Sequence, residues 1–154
     1  MPDVHSSSSQ IGLPILVLDT NAVLDWLVFR DAAMEPLARA ITESKVHWLT
    51  TERMRRELAH VLARQWPSRW TFVADACLAQ YDRWAKRVAE PIAAEVAKSL
   101  PGCLCTDPDD QVFIDLALLA KAKWLVSRDL AVLRLSRRLS SFGVLVRRPV
   151  DWLS

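Results

Sequence analysis

Four carboxylates stand where a folded chain can gather acids: Asp19, Glu57, Asp110 and Asp129. Asp19 closes the unbroken apolar run Ile15, Leu16, Val17, Leu18, and Asp129 follows a second such run that starts at Trp124 and ends at Ser127. A short apolar run closed by a polar residue is the pattern of a strand buried on both faces of a parallel sheet. Open α/β sheets form their sites just outside the carboxyl ends of such strands. Glu57 lies at the edge of an apolar stripe on a basic helix, and Asp110 opens a helix that is apolar on most sides. Taken singly, each acid has a structural reading. Asp19 fits a turn residue, Glu57 a surface acid paired with Arg53, Asp109 and Asp110 first-turn acids, and Asp129 an N-cap. Four of them at one sheet edge would repel one another strongly without a cation. Oxygen-only ligation suits Mg²⁺ or Mn²⁺ rather than zinc. The chemistry of such a site is phosphoryl transfer, because divalent ions activate water and clamp attacking and leaving oxygens.

The elements that must position these acids follow from the pattern. Strands are expected at residues 15–18, 46–49, 124–127 and 144–146. Thr20 and Asn21 read as caps of a helix over residues 22–29, and a second helix spans 31–43 with Pro36 near its first turn. The helix over 51–66 carries Met54, Leu58, Val61 and Leu62 as its apolar stripe, with Arg53, Arg55, Arg56 and Arg64 making it basic. A long helix is expected over 71–88 with Val73, Cys77, Tyr81, Trp84 and Val88 on one buried face, then a short one over 92–100. Asp107 and Pro108 form an N-cap and N1 pair for the next helix, where Gln111 and Asp115 mark a solvent stripe. A last helix spans 130–139. Strand and helix alternate throughout, which predicts an α/β fold of three layers, α/β/α, around a central parallel sheet of four or five strands.

Length and composition bound the function. With 154 residues, 51% apolar, the chain supports one domain with a substantial core, expected over residues 13–154. Residues 1–12 are polar and serine-rich and read as a disordered segment. Net charge is +2, too small to argue for nucleic acid from global charge, so any anionic partner must be met by a local patch. The three cysteines, Cys77, Cys103 and Cys105, form no disulfide framework and fit reduced thiols in a cytoplasmic protein. No apolar run is long enough for a bilayer, and the N-terminus lacks a signal-peptide core.

These residues carry a family resemblance. LDTNAVL (Leu18 to Leu24), REL (Arg56 to Leu58), DPDDQVFIDLALLAKA (Asp107 to Ala122) with WLVSRD (Trp124 to Asp129), and VLVRRPVDWL (Val144 to Leu153) together resemble a PIN domain, the nuclease fold of many prokaryotic toxin–antitoxin toxins. The resemblance implies a Mg²⁺- or Mn²⁺-dependent ribonuclease. Asp19, Glu57, Asp110 and Asp129 would be its catalytic and metal-binding acids, with Asn21 and Ser127 in support. It also implies a homodimer and a small antitoxin partner. Arg53, Arg56 and Arg128 are candidate contacts to the RNA backbone. One departure stands out: PIN toxins often carry a further acid two residues after the fourth, and here that residue is Ala131.

Two other functions compete. A haloacid-dehalogenase-like phosphatase would use Asp19 as nucleophile, but its general acid two residues on is replaced by Asn21. A non-catalytic PIN-like binding module would have no use for clustered, mutually repelling acids.

Overall fold

The computed structural model describes residues 12–99 and 105–153. Five parallel strands form the sheet: β1 (Ile15–Leu18), β2 (His47–Thr50), β3 (Lys86–Arg87), β4 (Trp124–Val126) and β5 (Leu145–Arg147), in the order β3-β2-β1-β4-β5. The helices are α1 (Thr20–Leu27), α2 (Glu35–Thr42), α3 (Glu52–Leu62), α4 (Ala74–Trp84), α5 (Ala93–Ser99), α6 (Pro108–Leu119), α7 (Leu130–Leu133) and α8 (Ser136–Ser140). Short 3₁₀ turns at Ala32–Met34 and Pro149–Asp151 complete the set.

The apolar run of β1 divides between two cores because successive strand residues face opposite ways. Leu16 and Leu18 join Leu37, Ile41, Trp48, Leu58 and Tyr81 on one face. Val17 joins Ile114, Leu116, Leu125, Leu139 and Val146 on the other. A sheet covered on both faces is the expected three-layer α/β/α fold, and the sheet has five strands.

The strand order also fixes where a site can form. From β1 the chain moves outward through β2 and β3, then returns to lay β4 on the other side of β1. The order therefore switches between β1 and β4. Their paired ends, Leu18 opposite Val126, lie at the crevice that such a switch opens.

Several expected elements differ in extent. The first helix begins at Thr20, and its N-cap is Asp19 rather than Thr20 or Asn21. Residues 31–43 divide into the 3₁₀ turn and α2. The helix expected over 71–88 covers only Ala74–Trp84, because Ala85 turns extended and Lys86 and Arg87 pair with Leu49 and Thr50 of β2. Arg87 then bonds both Glu52 and Asp82, which anchors this short edge strand. On the expected face of α4, Cys77 and Tyr81 are buried, whereas Val73 is exposed. The helix expected over 130–139 breaks into α7 and α8 at Leu135 (φ −90°, ψ 2°). Asp115 is a correction: it is buried, not on a solvent stripe, and accepts a hydrogen bond from Gln111 Nε2 at 2.9 Å. Leu119 is the exposed large apolar residue of that helix. The segment expected to be disordered lies, apart from Gly12, outside the described residues, as does Cys103; Cys77 and Cys105 are buried free thiols.

Candidate active site

Asp19 is the hinge of the site. Its backbone N–H still belongs to the sheet, donating to Val126 O at 3.2 Å, while its side chain already caps α1 by accepting from Ala22 N at 2.8 Å. The other carboxylate oxygen accepts from Ser127 Oγ at 2.5 Å. That hydroxyl in turn accepts from the Asp129 N–H at 3.0 Å. Ser127 is fully buried, so one hydroxyl locks the ends of β1 and β4 together and sets the backbone of Asp129. Asp129 caps α7, its Oδ1 accepting from Ala131 N at 2.8 Å.

Helix α6 delivers the remaining acids to the same edge. Asp107 is its N-cap, accepting from Asp109 N at 2.9 Å, and Pro108 follows at N1. The i, i+3 spacing brings Asp107 and Asp110 to one side of the helix start. There Asp107, Asp110 and Asp129 each present an oxygen within 4.8 Å of the others. Asp19 and Glu57 are not part of that trio. Both line one cleft with Asp110, together with Thr20, Asn21, Arg64 and Phe113.

The electrostatics record burial first and crowding of like charge second. Burial pushes the Asp110 carboxyl up to about 7, with further rises from Asp129, Asp107 and Asp19 and a hydrogen bond shared with Asp129. Burial raises Asp19 to about 6 even though Ser127 and Ala22 both favour its charged form, and Asp25 and Asp129 add smaller rises. Glu57 is raised by burial and by Asp109, against a hydrogen bond from Thr20 and the nearby Arg53 and Arg64. One oxygen of Asp110 is buried with no hydrogen-bond partner. Buried polar atoms are rarely left so. An orphaned carboxylate oxygen beside two further carboxylates fits a divalent cation of the oxygen-preferring kind.

The sequence-predicted residues thus fall into groups. Asp19, Asp110 and Asp129 meet at the switch point, with Ser127 bridging two of them. Glu57 faces the same cleft from α3, and Asn21 lines it while remaining exposed. Arg53 and Arg56 are exposed on α3. The Arg128 guanidinium donates to the buried Asp25 carboxylate at 2.8 Å, which ties the loop after β4 to α1. The sequence pattern gives Asp107 only a capping role and does not single out Asp25. The three-residue spacing from Asp107 to Asp110 was the available signal for the first; no local signal marks a pair 103 positions apart.

Comparison with known proteins places the chain. The family model described as PIN domain matches residues 15–131. No curated protein matches the chain. Among solved structures, a crystal structure of VapBC2 from Rickettsia felis bound to a DNA fragment from their promoter matches with a TM-score of 0.63 and 11% identity. The match covers 87% of this chain and 98% of that one. At that identity the likeness is one of fold.

Proposed function

The chain belongs to the PIN-domain family, and from that premise we propose that it is a metal-dependent ribonuclease, the toxin of a type II toxin–antitoxin pair. The observation that carries the reading is the trio Asp107, Asp110 and Asp129 around an orphaned Asp110 oxygen, with Asp19 and Glu57 on the same cleft. Family membership sets aside the phosphatase alternative. Mg²⁺ or Mn²⁺ would be held by Asp110 and Asp129, with Asp107 and Asp19 adjoining and Glu57 completing the acidic wall. Such an ion, when bound, supplies a water nucleophile at neutral pH and offsets charge on the phosphodiester.

The chain's own residues supply position. Ser127 holds Asp19 in one rotamer and pins the Asp129 backbone, so the acids are preorganised rather than assembled on binding. Asp110, raised to about 7, keeps a proton for much of the time at neutral pH when the site carries no cation, which relieves the repulsion. Arg53 and Arg56 are proposed to meet the RNA backbone, and Arg128 to do so with one nitrogen held on Asp25. Water adds to phosphorus, the bond to the 3′-oxygen breaks, and the products are a 5′-phosphate and a 3′-hydroxyl.

A small antitoxin is the proposed partner and a homodimer the proposed assembly. The fold neighbour VapBC2 is described bound to DNA from their promoter, which supports the antitoxin reading. No helix among the described residues is long and apolar enough to cross a membrane, and a cytoplasmic setting is part of the proposal. The test is cleavage of labelled RNA by the wild type and by Asp110→Asn, in Mn²⁺ and in EDTA. Cleavage only by the wild type in Mn²⁺, with 5′-phosphate ends, is expected. Equal cleavage by the folded variant overturns the assignment.

A further inference from the structure

The cleft that holds Asp19, Glu57 and Asp110 has a second wall of different chemistry. Phe29, Val61 and Trp66 line it, with Arg64 and Gln65 exposed at the rim. Its volume is about 470 Å³, within the range of small-ligand clefts, roughly 300–1,000 Å³. Trp66 is held in place by its neighbours. Its indole Nε1 donates to Val61 O at 3.2 Å, and Phe29 and Phe72 meet its ring edge-on at 5.8 and 5.3 Å. Trp70 braces Phe29 in the same way at 4.6 Å. The indole has thus spent its one donor inside the protein, and both rings remain only part-buried. An aromatic cluster serving only as core would close over its rings. This one leaves them on the wall of an acidic cleft.

We propose that this wall is a base-stacking subsite, in which an unpaired nucleobase next to the scissile phosphate packs on Trp66 and Phe29. The inference rests on the nuclease reading of the acids. A π-face accepts any base, so the subsite selects for an unpaired nucleotide rather than for a sequence. Bases inside a duplex are stacked on their neighbours and cannot reach a concave wall, so the substrate is single-stranded or looped RNA. Gln65 at the rim can meet a base edge, and Arg64 a phosphate, which adds contacts without a fixed base identity.

The test measures binding of labelled single-stranded RNA by fluorescence anisotropy, with Ca²⁺ in place of Mn²⁺ to prevent cleavage. The oligonucleotide is only long enough to fill the cleft once, which fixes its register, and a second series of it carries one abasic position, moved along the chain. Trp66→Leu keeps apolar bulk, Trp66→Phe keeps a ring, and circular dichroism checks that each folds. Wild type should lose about 5- to 150-fold in affinity at one abasic position, the range for one stacked base. Trp66→Leu should bind intact RNA with a similar loss and show no added loss on the abasic chain. Trp66→Phe should restore most of the difference. If wild type and Trp66→Leu lose equally at every abasic position, the wall is only structural and the subsite is refuted. Duplex RNA bound as tightly as the single strand refutes it too. Cleavage in Mn²⁺ without base dependence overturns the subsite alone, whereas base-dependent binding without cleavage overturns the nuclease reading and leaves the subsite standing. Should both Trp66 variants fail to fold, the abasic series on wild type alone decides: a flat profile refutes stacking.

Discussion

Asp19→Asn removes one charge from the buried centre of the site and keeps its size. The Asp19 carboxyl is raised from 3.8 to about 6 in the folded chain. A folded pKa above the unfolded one means that the native state binds the proton more tightly. The unfolded state loses its proton first as pH rises, so wild-type stability falls between pH 4 and pH 7 and stays low above it. Two pKa units correspond to about 3 kcal/mol against folding at pH 8, falling to about 0.5 kcal/mol at pH 4. Asparagine does not ionise and escapes this cost. It keeps an acceptor for Ala22 N–H but turns its own donors toward Ser127 Oγ, which gives back about 1 kcal/mol. The net expectation in EDTA is a variant about 2 kcal/mol more stable than wild type at pH 8, with the advantage gone near pH 4. Urea unfolding of both proteins across that range reads the difference. In saturating Mn²⁺ the order should reverse, since only the wild type gains the full binding free energy. Parallel stability–pH profiles for the two proteins in EDTA would refute the claim that a strained, buried carboxylate sits at the end of β1.

Further tests probe the supports of the site. Ser127→Ala removes the donor to Asp19 and the acceptor of the Asp129 N–H; urea unfolding should fall by about 1–3 kcal/mol and RNA cleavage by about 10- to 100-fold. Arg128→Ala leaves the Asp25 carboxylate buried without its cation, and Asp25 is already raised by burial. The cost in thermal or urea stability should be about 1–3 kcal/mol at pH 8 and shrink as pH falls, because a carboxyl that has taken up a proton no longer needs the cation. Tyr81 is the one tyrosine of the chain, buried and hydrogen-bonded with Thr50, and is pushed up to about 12. Ultraviolet titration should therefore show no tyrosinate until well above the free value, and Thr50→Val, which removes a bond that favours the anion, should not lower the midpoint.

Much of this architecture was legible because burial on both faces leaves so plain a mark. The runs before Asp19 and Asp129 contain no polar alternation, and they became neighbouring strands whose ends meet. The short edge strand Lys86–Arg87 left no such mark, since both residues are exposed and it is held by backbone pairing and ion pairs. Asp115 read as solvent-facing because a carboxylate usually is; Gln111, bonded both to it and to the Cys105 N–H, lets it stay buried. Asp19 and Asp129 each carried a capping reading and a site reading, and the structure realises the cap together with the gathering of acids. Capping fixes the carboxylate rotamer, which is what a preorganised site needs. Asp107 was missed for the converse reason: an N-cap explained it fully, and only the fold brings Asp129 close enough to make it part of a trio.

The central claim is that the acids at the β1–β4 switch point hold a divalent cation. Calorimetric titration of Mn²⁺ into the metal-free protein near pH 6.5, repeated in two buffers of different ionisation enthalpy, tests it directly. Asp110, raised to about 7, is largely protonated there, so binding should release close to one proton and the affinity should tighten with rising pH. Asp110→Asn should bind at least about tenfold more weakly and release almost no proton. Mn²⁺ binding that is unchanged in folded Asp110→Asn, or a wild type that binds no Mn²⁺ at all, would contradict the account.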